Sequence, residues 1–238
     1  MHDLWALRKS DIVSLINRLN SERDCHGILV QSPIELSTSS EVSVTELASL
    51  IDPQKDVDGL SPVNMGRLVS RSTEPYHFPC TPLGVVDLLS YYSLDKVAGL
   101  DAVVLGRSDI VGAPMGLMLN RLNATVTICH SKTKNLPSII SRADLLIAAI
   151  GKPNYVKGAW IKPGAVVIDV GINRRDAHLV GDVEFEVAKS RALAITPVPG
   201  GVGPMTVAML ARNLFIAALR REGVEPEEEG DLRRTSLE

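Results

Sequence analysis

Residues 196–210 read T-P-V-P-G-G-V-G-P-M-T-V-A-M-L, and this segment joins a predicted strand to a predicted helix. It follows an apolar run typical of a strand, residues 192–195, and it ends inside a predicted helix. Prolines fix the backbone φ angle and glycines permit positive φ, so this loop has a stiff and specific path. Glycines before a helix N-terminus leave backbone N–H groups open to a polar or anionic ligand. The stretch predicts either the floor of a ligand site or an ordinary strand-to-helix connection.

Toward the amino end, apolar strand-like runs alternate with helical segments. The predicted strands cover residues 102–105, 125–129, 145–149, 165–169 and 192–195, and the predicted helices cover residues 110–122, 136–141 and 183–189. Near-continuous apolar strands that alternate with helices indicate a parallel sheet with helices on both faces. The predicted fold class is therefore α/β, with two α/β domains, of which the second holds a Rossmann-like parallel sheet.

The pattern changes character near Thr81, where we expect a domain boundary. The first domain is predicted over residues 1–80 and is completed by a final helix, residues 204–221, that packs back on it. The second domain is predicted over residues 81–203. The charged tail, residues 222–238, is expected to be disordered.

Composition excludes several classes of function. The 238 residues are 45% hydrophobic and 22% charged, as in a soluble globular protein. A net charge of −3 without a dense Lys/Arg run gives no field for a nucleic-acid partner. No apolar run is expected to reach the ~20 residues of a membrane helix, so we expect no membrane partner. Three cysteines without C-x-x-C spacing indicate reduced thiols and no metal site.

A strand followed by a glycine turn marks the first candidate site. Gly106, Arg107 and Ser108 follow the strand of residues 102–105 and precede a helix. An α/β sheet holds the pyrophosphate of a dinucleotide at this place, and guanidinium and hydroxyl groups match phosphate oxygens. The spacing is not G-x-G-x-x-G, so an alternative stays open in which Gly106 only turns the chain and Arg107 is a solvated charge.

The next strand ends on His130-Ser131-Lys132. The adenosine ribose, or its 2′-phosphate, binds at this position of a dinucleotide fold. A basic, hydroxyl-rich turn favours NADP over NAD, although His130 taken alone is equally typical of a surface histidine.

Two polar residues in the first domain are the other candidates. Gln31 ends a predicted buried strand, at the edge where α/β ligands bind, or it is a hydrogen-bonded polar residue at a strand end. Asp58 lies in a loop, where its carboxylate can accept two parallel hydrogen bonds from an amidine-like edge such as that of a pterin. The alternative for Asp58 is an Asx-turn residue beside Gly59.

Seven blocks in order resemble the methylenetetrahydrofolate dehydrogenase/cyclohydrolase family. They are G-I-L-V-Q-S-P (27–33), K-D-V-D-G-L-S-P-V-N-M-G-R-L (55–68), P-C-T-P-L-G (79–84), V-L-G-R-S-D-I-V-G-A-P (104–114), T-V-T-I-C-H-S-K-T (125–133), W-I-K-P-G-A-V-V-I-D-V-G-I-N (160–173) and T-P-V-P-G-G-V-G-P-M-T (196–206). The resemblance covers nearly the whole chain, from about residue 10 to residue 219.

The resemblance implies NADP-dependent oxidation of 5,10-methylenetetrahydrofolate to 5,10-methenyltetrahydrofolate, followed by hydrolysis to 10-formyltetrahydrofolate. It makes residues 1–80 the folate-binding catalytic domain and residues 81–203 the NAD(P)-binding domain, with NAD as a possible alternative to NADP. The folate-side residues that it implies are Gln31 and Asp58, both catalytic, with Pro199 and Gly203. The cofactor-side residues that it implies are Thr81, Arg107, Ser108, Ser131, Ile172 and Thr206, which join Gly106 and His130.

One feature of the family is not matched. The family carries a Tyr-x-x-x-Lys motif on an early helix, and its lysine is the general acid/base of the hydrolytic step. The first ten residues, M-H-D-L-W-A-L-R-K-S, do not contain it. We therefore expect a first domain that is incomplete at its amino end, a lost cyclohydrolase step and weak or absent dehydrogenase activity. The alternative is a truncated, non-catalytic isoform that binds dinucleotide or a full-length partner.

The resemblance also implies a folate substrate and a homodimer formed through the cofactor domain. Because the chain starts without a presequence, the cytosol is the expected compartment, with the mitochondrial matrix as the alternative.

Overall fold

The structure is a computed structural model that describes residues 8–31, 34, 43–70, 73, 75–175 and 178–225. Its residues fall into two compact units. The first unit holds the described residues up to Cys80 and those from Leu210 onward, and the second unit holds Thr81–Met209. The predicted disordered tail lies outside the described residues from position 226 onward.

The second unit is built on a parallel five-stranded sheet of order β2-β1-β3-β4-β7. Its strands are β1 (Asp101–Leu105), β2 (Thr125–Cys129), β3 (Leu145–Ala148), β4 (Val166–Asp169) and β7 (Ala194–Ile195), and β5 (Asn173–Arg175) pairs antiparallel with β6 (His178–Val180). Its helices are α4 (Cys80–Tyr91), α5 (Gly112–Arg121), α6 (Leu136–Ile140), α7 (Phe185–Lys189) and the start of α8 (Val202–Arg221). The prediction of a parallel α/β sheet is confirmed.

Burial explains why the central strands are apolar on both faces. All four residues of β3 are buried, as are the last four residues of β1. Buried side chains from neighbouring strands form one core, which includes Val103 and Leu105 of β1, Leu146 of β3 and Val167 of β4. A strand that is covered on both faces gains about 25 cal/mol for each Å² of apolar surface removed from water, so a continuous apolar run is stable there.

The strand order decides where a ligand binds. The chain passes from β1 to β2 on one side and then crosses to β3 on the other side of β1. The loops that leave β1 and β3 therefore diverge at the carboxyl edge of the sheet. In open α/β sheets this switch point forms the ligand crevice.

The first unit contains α1 (Lys9–Ser21), α2 (Val44–Ala48), α3 (Pro62–Val69) and the part of α8 from Leu210 to Arg221. The predicted strand that ends at Gln31 reduces to one parallel bridge between Ile28 and Asp56. The segment that faces it turns away at Gly59, where φ is +72°, so the ladder does not extend.

A buried lysine joins two parts of the first unit. The Lys55 side chain is 2% exposed, and its Nζ donates to the backbone oxygens of Leu19, Asn20 and Glu22 at 2.7, 2.7 and 2.8 Å. These oxygens lie at the carboxyl end of α1, where backbone acceptors lack helical partners and a cation is favourable.

Helix α8 corrects one sequence expectation. Among the described residues it is the helix that is long and apolar enough to cross a membrane, with a mean hydropathy of 1.5 over 18 residues. The expectation that no apolar run reaches the length of a membrane helix is therefore wrong. The glycine, proline and threonine in the first turns of α8 neither break the helix nor make the segment polar. Length and composition alone do not place it in a membrane, since the core helix of a soluble protein passes the same test.

Candidate active site

A pocket of about 250 Å³ lies in the second unit at the carboxyl edge of β1, β2 and β3. It is lined by Leu105, Gly106, Arg107, Ser108, His130, Ser131, Leu136, Ala149, Ile150, Lys152 and Tyr155. Five of the predicted cofactor residues, Gly106, Arg107, Ser108, His130 and Ser131, therefore share one pocket at the switch point of the sheet.

Two glycines allow the chain segments at the base of this pocket to approach each other. Gly106 has φ +131°, and a Cβ there would lie 2.1 Å from the Ala149 oxygen. A Cβ on Gly112, at the start of α5, would lie 2.4 Å from the Gly106 carbonyl carbon. Both distances are too short for any side chain, so the loop after β1 needs glycine for close backbone approach. Gly106 is more than a turn residue.

The Ser108 hydroxyl organises the start of α5. Its Oγ accepts the Val111 N–H at 3.3 Å and the Gly112 N–H at 3.4 Å. The Ser108 O–H still has its own proton to donate to a ligand oxygen. Arg107 beside it is exposed, and a guanidinium there can bind a phosphate.

The turn after β2 is held by its own side chains. The His130 N–H donates to the Thr133 hydroxyl at 2.9 Å, and His130 Nδ1 accepts the Lys132 N–H at 3.2 Å. His130 is half-buried. These bonds fix the position of Ser131 on the wall of the pocket.

The loop after β3 supplies lining residues that the sequence analysis missed. The Asp182 carboxylate accepts the N–H groups of Ile150, Gly151 and Lys152 at 2.7, 3.0 and 2.8 Å. It also accepts the Asn173 side-chain amide at 2.9 Å. This carboxylate lies 30 residues from Lys152 along the chain, so neither local spacing nor hydrophobic period indicates the contact.

A second buried carboxylate supports the first. Asp169, at the end of β4, accepts the N–H groups of Gly171 and Asp182 at 3.0 and 2.9 Å through one oxygen and that of Val183 at 2.8 Å through the other. The Asp169 N–H donates to the Thr196 hydroxyl at 2.8 Å. Burial raises the pKa of Asp169 to about 6, because desolvation outweighs these three N–H donors, and the nearby Asp182 charge raises it further.

The remaining predicted residues of the second unit do not line the pocket. Thr81 and Thr206 share a hydrogen bond of 3.0 Å between their hydroxyls. Gly203 faces Ile172, whose Cδ1 lies 3.9 Å from the position of a Cβ on Gly203, and Ile172 is 63% exposed. Pro199 is exposed on the loop that leads to α8.

In the first unit, Asp56 rather than Asp58 makes the Asx turn. Asp56 accepts the Gly59 N–H at 3.1 Å and the Ser61 N–H at 2.7 Å, together with the Asn64 side chain at 2.9 Å. The alternative interpretation of Asp58 as the turn residue is therefore unnecessary, since a neighbour already satisfies the turn.

Asp58 lies in a partly buried setting next to a thiol. Burial raises the pKa of the Asp58 carboxyl, a hydrogen bond from Cys80 lowers it, and the nearby Asp56 charge raises it. Asn213, buried on α8, donates to the backbone oxygens of Val57 and Phe78, each at 2.9 Å. These two contacts fix the backbone on either side of the Asp58 loop.

Gln31 is exposed and takes part in a hydrogen bond or another polar contact. It follows the Ile28–Asp56 bridge by three residues, and Asp58 follows the same bridge by two. Because the two segments run parallel, Gln31 and Asp58 leave the bridge on the same side. Among the described residues, no group of three or more His, Cys, Asp or Glu side chains is placed to hold a metal ion.

Comparison with known families accounts for both units. Residues 79–222 match the NAD(P)-binding domain of tetrahydrofolate dehydrogenase/cyclohydrolase, and residues 5–58 match its catalytic domain. The chain belongs to the tetrahydrofolate dehydrogenase/cyclohydrolase family. The pocket therefore lies in the NAD(P)-binding domain of a family member. The glycine loop after β1 and the basic residues that line the pocket fit a dinucleotide phosphate.

Individual relatives agree with this family. The chain is 50% identical to the bifunctional protein FolD of Geotalea daltonii, covering 90% of this chain and 74% of that protein. It is 54% identical to the mitochondrial C-1-tetrahydrofolate synthase of Schizosaccharomyces pombe, covering 85% of this chain and 21% of that protein. The FolD structure from Campylobacter jejuni has a TM-score of 0.84 at 43% identity, covering 91% of this chain and 75% of that one. The Trypanosoma brucei FolD structure, complexed with NADP and an inhibitor, has a TM-score of 0.83 at 40% identity, covering 91% and 74%.

The titration of Asp169 is the first test of the site. The proton is bound more tightly in the folded state, with a pKa of about 6 against 3.8 for the ordinary group. The Asp169 contribution to the free energy of unfolding is therefore fully present below pH 3.8 and is lost as the pH rises through 6.

We expect the difference in unfolding free energy between the protein and its Asp169→Asn variant to fall by about 2 kcal/mol between pH 4 and pH 7.5. Urea unfolding at each pH measures this difference, and any constant effect of the amide cancels from the trend. A difference in unfolding free energy that does not change with pH would contradict the raised pKa of Asp169.

Proposed function

We propose that this chain oxidises 5,10-methylenetetrahydrofolate to 5,10-methenyltetrahydrofolate with NADP. The observation that carries the proposal is the pocket at the switch point of the sheet, which combines Gly106, Arg107 and Ser108 with the His130–Ser131 turn. Family membership and the relative from T. brucei that is complexed with NADP support it.

The residues of the pocket have distinct roles in this proposal. NADP, when bound, supplies the nicotinamide that takes the hydride from the methylene carbon. Gly106 lets the pyrophosphate approach the backbone of the loop after β1. Arg107 and Ser131 bind phosphate oxygens through a charge and a hydroxyl. Hydride transfer then depends chiefly on holding donor and acceptor in register.

Folate binding is assigned to four residues. The Asp58 carboxylate, free of the turn that Asp56 makes, accepts hydrogen bonds from the N–H edge of the pterin. Gln31 offers an amide donor and acceptor to the same substrate, and the family resemblance assigns Pro199 and Gly203 to the folate as well. On the cofactor side, Thr81, Ile172 and Thr206 contact the nicotinamide half.

We further propose that the hydrolytic step does not proceed at an enzymatic rate on this chain. Protonation of the opening methenyl bridge needs a general acid/base, worth roughly 10²–10⁴-fold. The sequence of the first unit has two lysines, Lys9 and Lys55. Lys9 pairs with Glu46, and the Lys55 ammonium makes three hydrogen bonds to α1. Because each lysine already has these partners, we assign neither of them as the general acid/base.

The test is formation of the methenyl chromophore from methylenetetrahydrofolate and NADP by the purified chain. We expect NADP-dependent formation of the chromophore. Once formed, the chromophore should decay no faster than it does in buffer alone. Arg107→Gln should raise KM for NADP about tenfold, and Asp58→Asn should lower kcat/KM for the folate at least about tenfold. Arg142→Gln, an exposed change away from the pocket, serves as the control.

Two results would contradict the proposal. Dinucleotide binding without chromophore formation would favour the non-catalytic binding protein instead. Loss of the chromophore faster than in buffer, with 10-formyltetrahydrofolate as product, would contradict only the proposed loss of hydrolysis.

We propose that two copies of the chain form a homodimer through the edge of the sheet. Strand β2 ends the sheet order, and Thr125 and Thr127 are exposed on it. The Thr125 N–H donates toward β1, to the Leu100 oxygen, so the alternate groups of Val126 and Ile128 point to the open edge. Such a row of backbone groups is a template for pairing with a second strand.

The double substitution of Thr125 and Thr127 to Lys should convert the dimer to a monomer, because like charges would meet across the strand pair. Sedimentation velocity measures the change, and Ser138→Lys on α6 adds a matched charge elsewhere. A protein that sediments as a monomer before any substitution would refute the dimer.

The cytosol is the proposed compartment. The mitochondrial matrix is the alternative, because one relative carries a mitochondrial name. Cell fractionation separates the two.

A further inference from the structure

The dinucleotide pocket carries more positive charge than the loops after β1 and β2 supply. Three of its lining side chains are basic, namely Arg107, His130 and Lys152, and none of the lining residues is acidic. Arg107 and His130 come from the loops after β1 and β2, whereas Lys152 comes from the loop after β3.

The position of Lys152 is fixed from two sides. Its backbone N–H is held by the buried Asp182 carboxylate at 2.8 Å, and the same carboxylate holds the two preceding N–H groups. Its Nζ lies 5.4 Å from the centre of the Tyr155 ring, and Tyr155 packs edge-on against Trp160. The ammonium thus projects from a rigid base beside an aromatic wall, which lowers the entropy lost when it binds a ligand.

We propose that Lys152 is a specificity-determining residue that binds the ribose 2′-phosphate by which NADP differs from NAD. The pyrophosphate, which both dinucleotides share, is assigned to the glycine loop after β1. A phosphate monoester carries close to two negative charges and is matched by cations from separate loops. The inference rests on the proposed function, since it assigns Lys152 to the same pocket.

Equilibrium titration with NADPH and with NADH, followed by dinucleotide fluorescence, tests the assignment without folate or turnover. Lys152→Gln should raise the Kd for NADPH about fivefold to tenfold and change the Kd for NADH less than twofold. Lys152→Arg keeps the charge and should stay within twofold of the parent protein for both ligands. Lys157→Gln is the matched control, because Lys157 lies in the same loop, outside the pocket, with its Nζ bonded to the Asn154 oxygen at 3.0 Å.

Added salt gives a second readout that a merely structural role would not move. NADPH binding by the parent protein should weaken with salt more steeply than binding by the Lys152→Gln variant. Equal losses for NADPH and NADH, or no loss for either, would overturn the inference and leave the proposed function standing. A parent protein that binds neither dinucleotide would overturn both.

Discussion

Two buried carboxylates at the carboxyl edge of the sheet are the constraint on which the second unit depends. Asp169 and Asp182 are 3% and 0% exposed, and together they accept six backbone N–H groups. A Cβ on Gly171 would lie 2.2 Å from Asp182 Oδ1, and a Cβ on Gly181 would lie 2.0 Å from Asp169 Oδ2. Burying charge is favourable only when hydrogen-bond donors surround it, so the loops after β3 and β4 have one arrangement that satisfies both groups.

The arrangement of these two loops also shapes the pocket at the edge of the sheet. The same carboxylate that closes the loop after β3 fixes the residues that form one wall of the pocket, while Gly106 and Gly112 bring the opposite segments together. The ligand site is therefore made by backbone geometry, and its side chains add charge and hydroxyls to a shape that already exists. Such preorganisation lowers the entropic cost of binding.

The sequence predicts the parts of this site that local rules govern. Gly106 and Ser108 follow β1 and Ser131 follows β2, and the carboxyl ends of parallel strands lie at one edge, so their placement follows from strand detection alone. Lys152 was missed because its position depends on Asp182, which is distant in sequence. Nothing in the local pattern of residues 150–155 marks them as lining a site.

In the first unit as well, the sequence predicts some features, whereas others depend on contacts that only the structure shows. The sequence places two aspartates in one loop without distinguishing them, and only the contacts of Asp56 with Gly59 and Asn64 identify Asp56 as the one that makes the turn. In the second unit the antiparallel pair of β5 and β6 was also missed, since strands of three residues, Asn-Arg-Arg and His-Leu-Val, are too short to show the alternation of apolar and polar residues that predicts a strand.

The most direct test of the account is a titration of the ¹⁵N-labelled protein with NADPH, followed residue by residue in amide NMR spectra. We predict that the largest shifts fall on residues 105–108, 130–131 and 150–155, three segments that line the pocket. Shifts that concentrate on any other surface, or saturating NADPH without shifts in these segments, would contradict it.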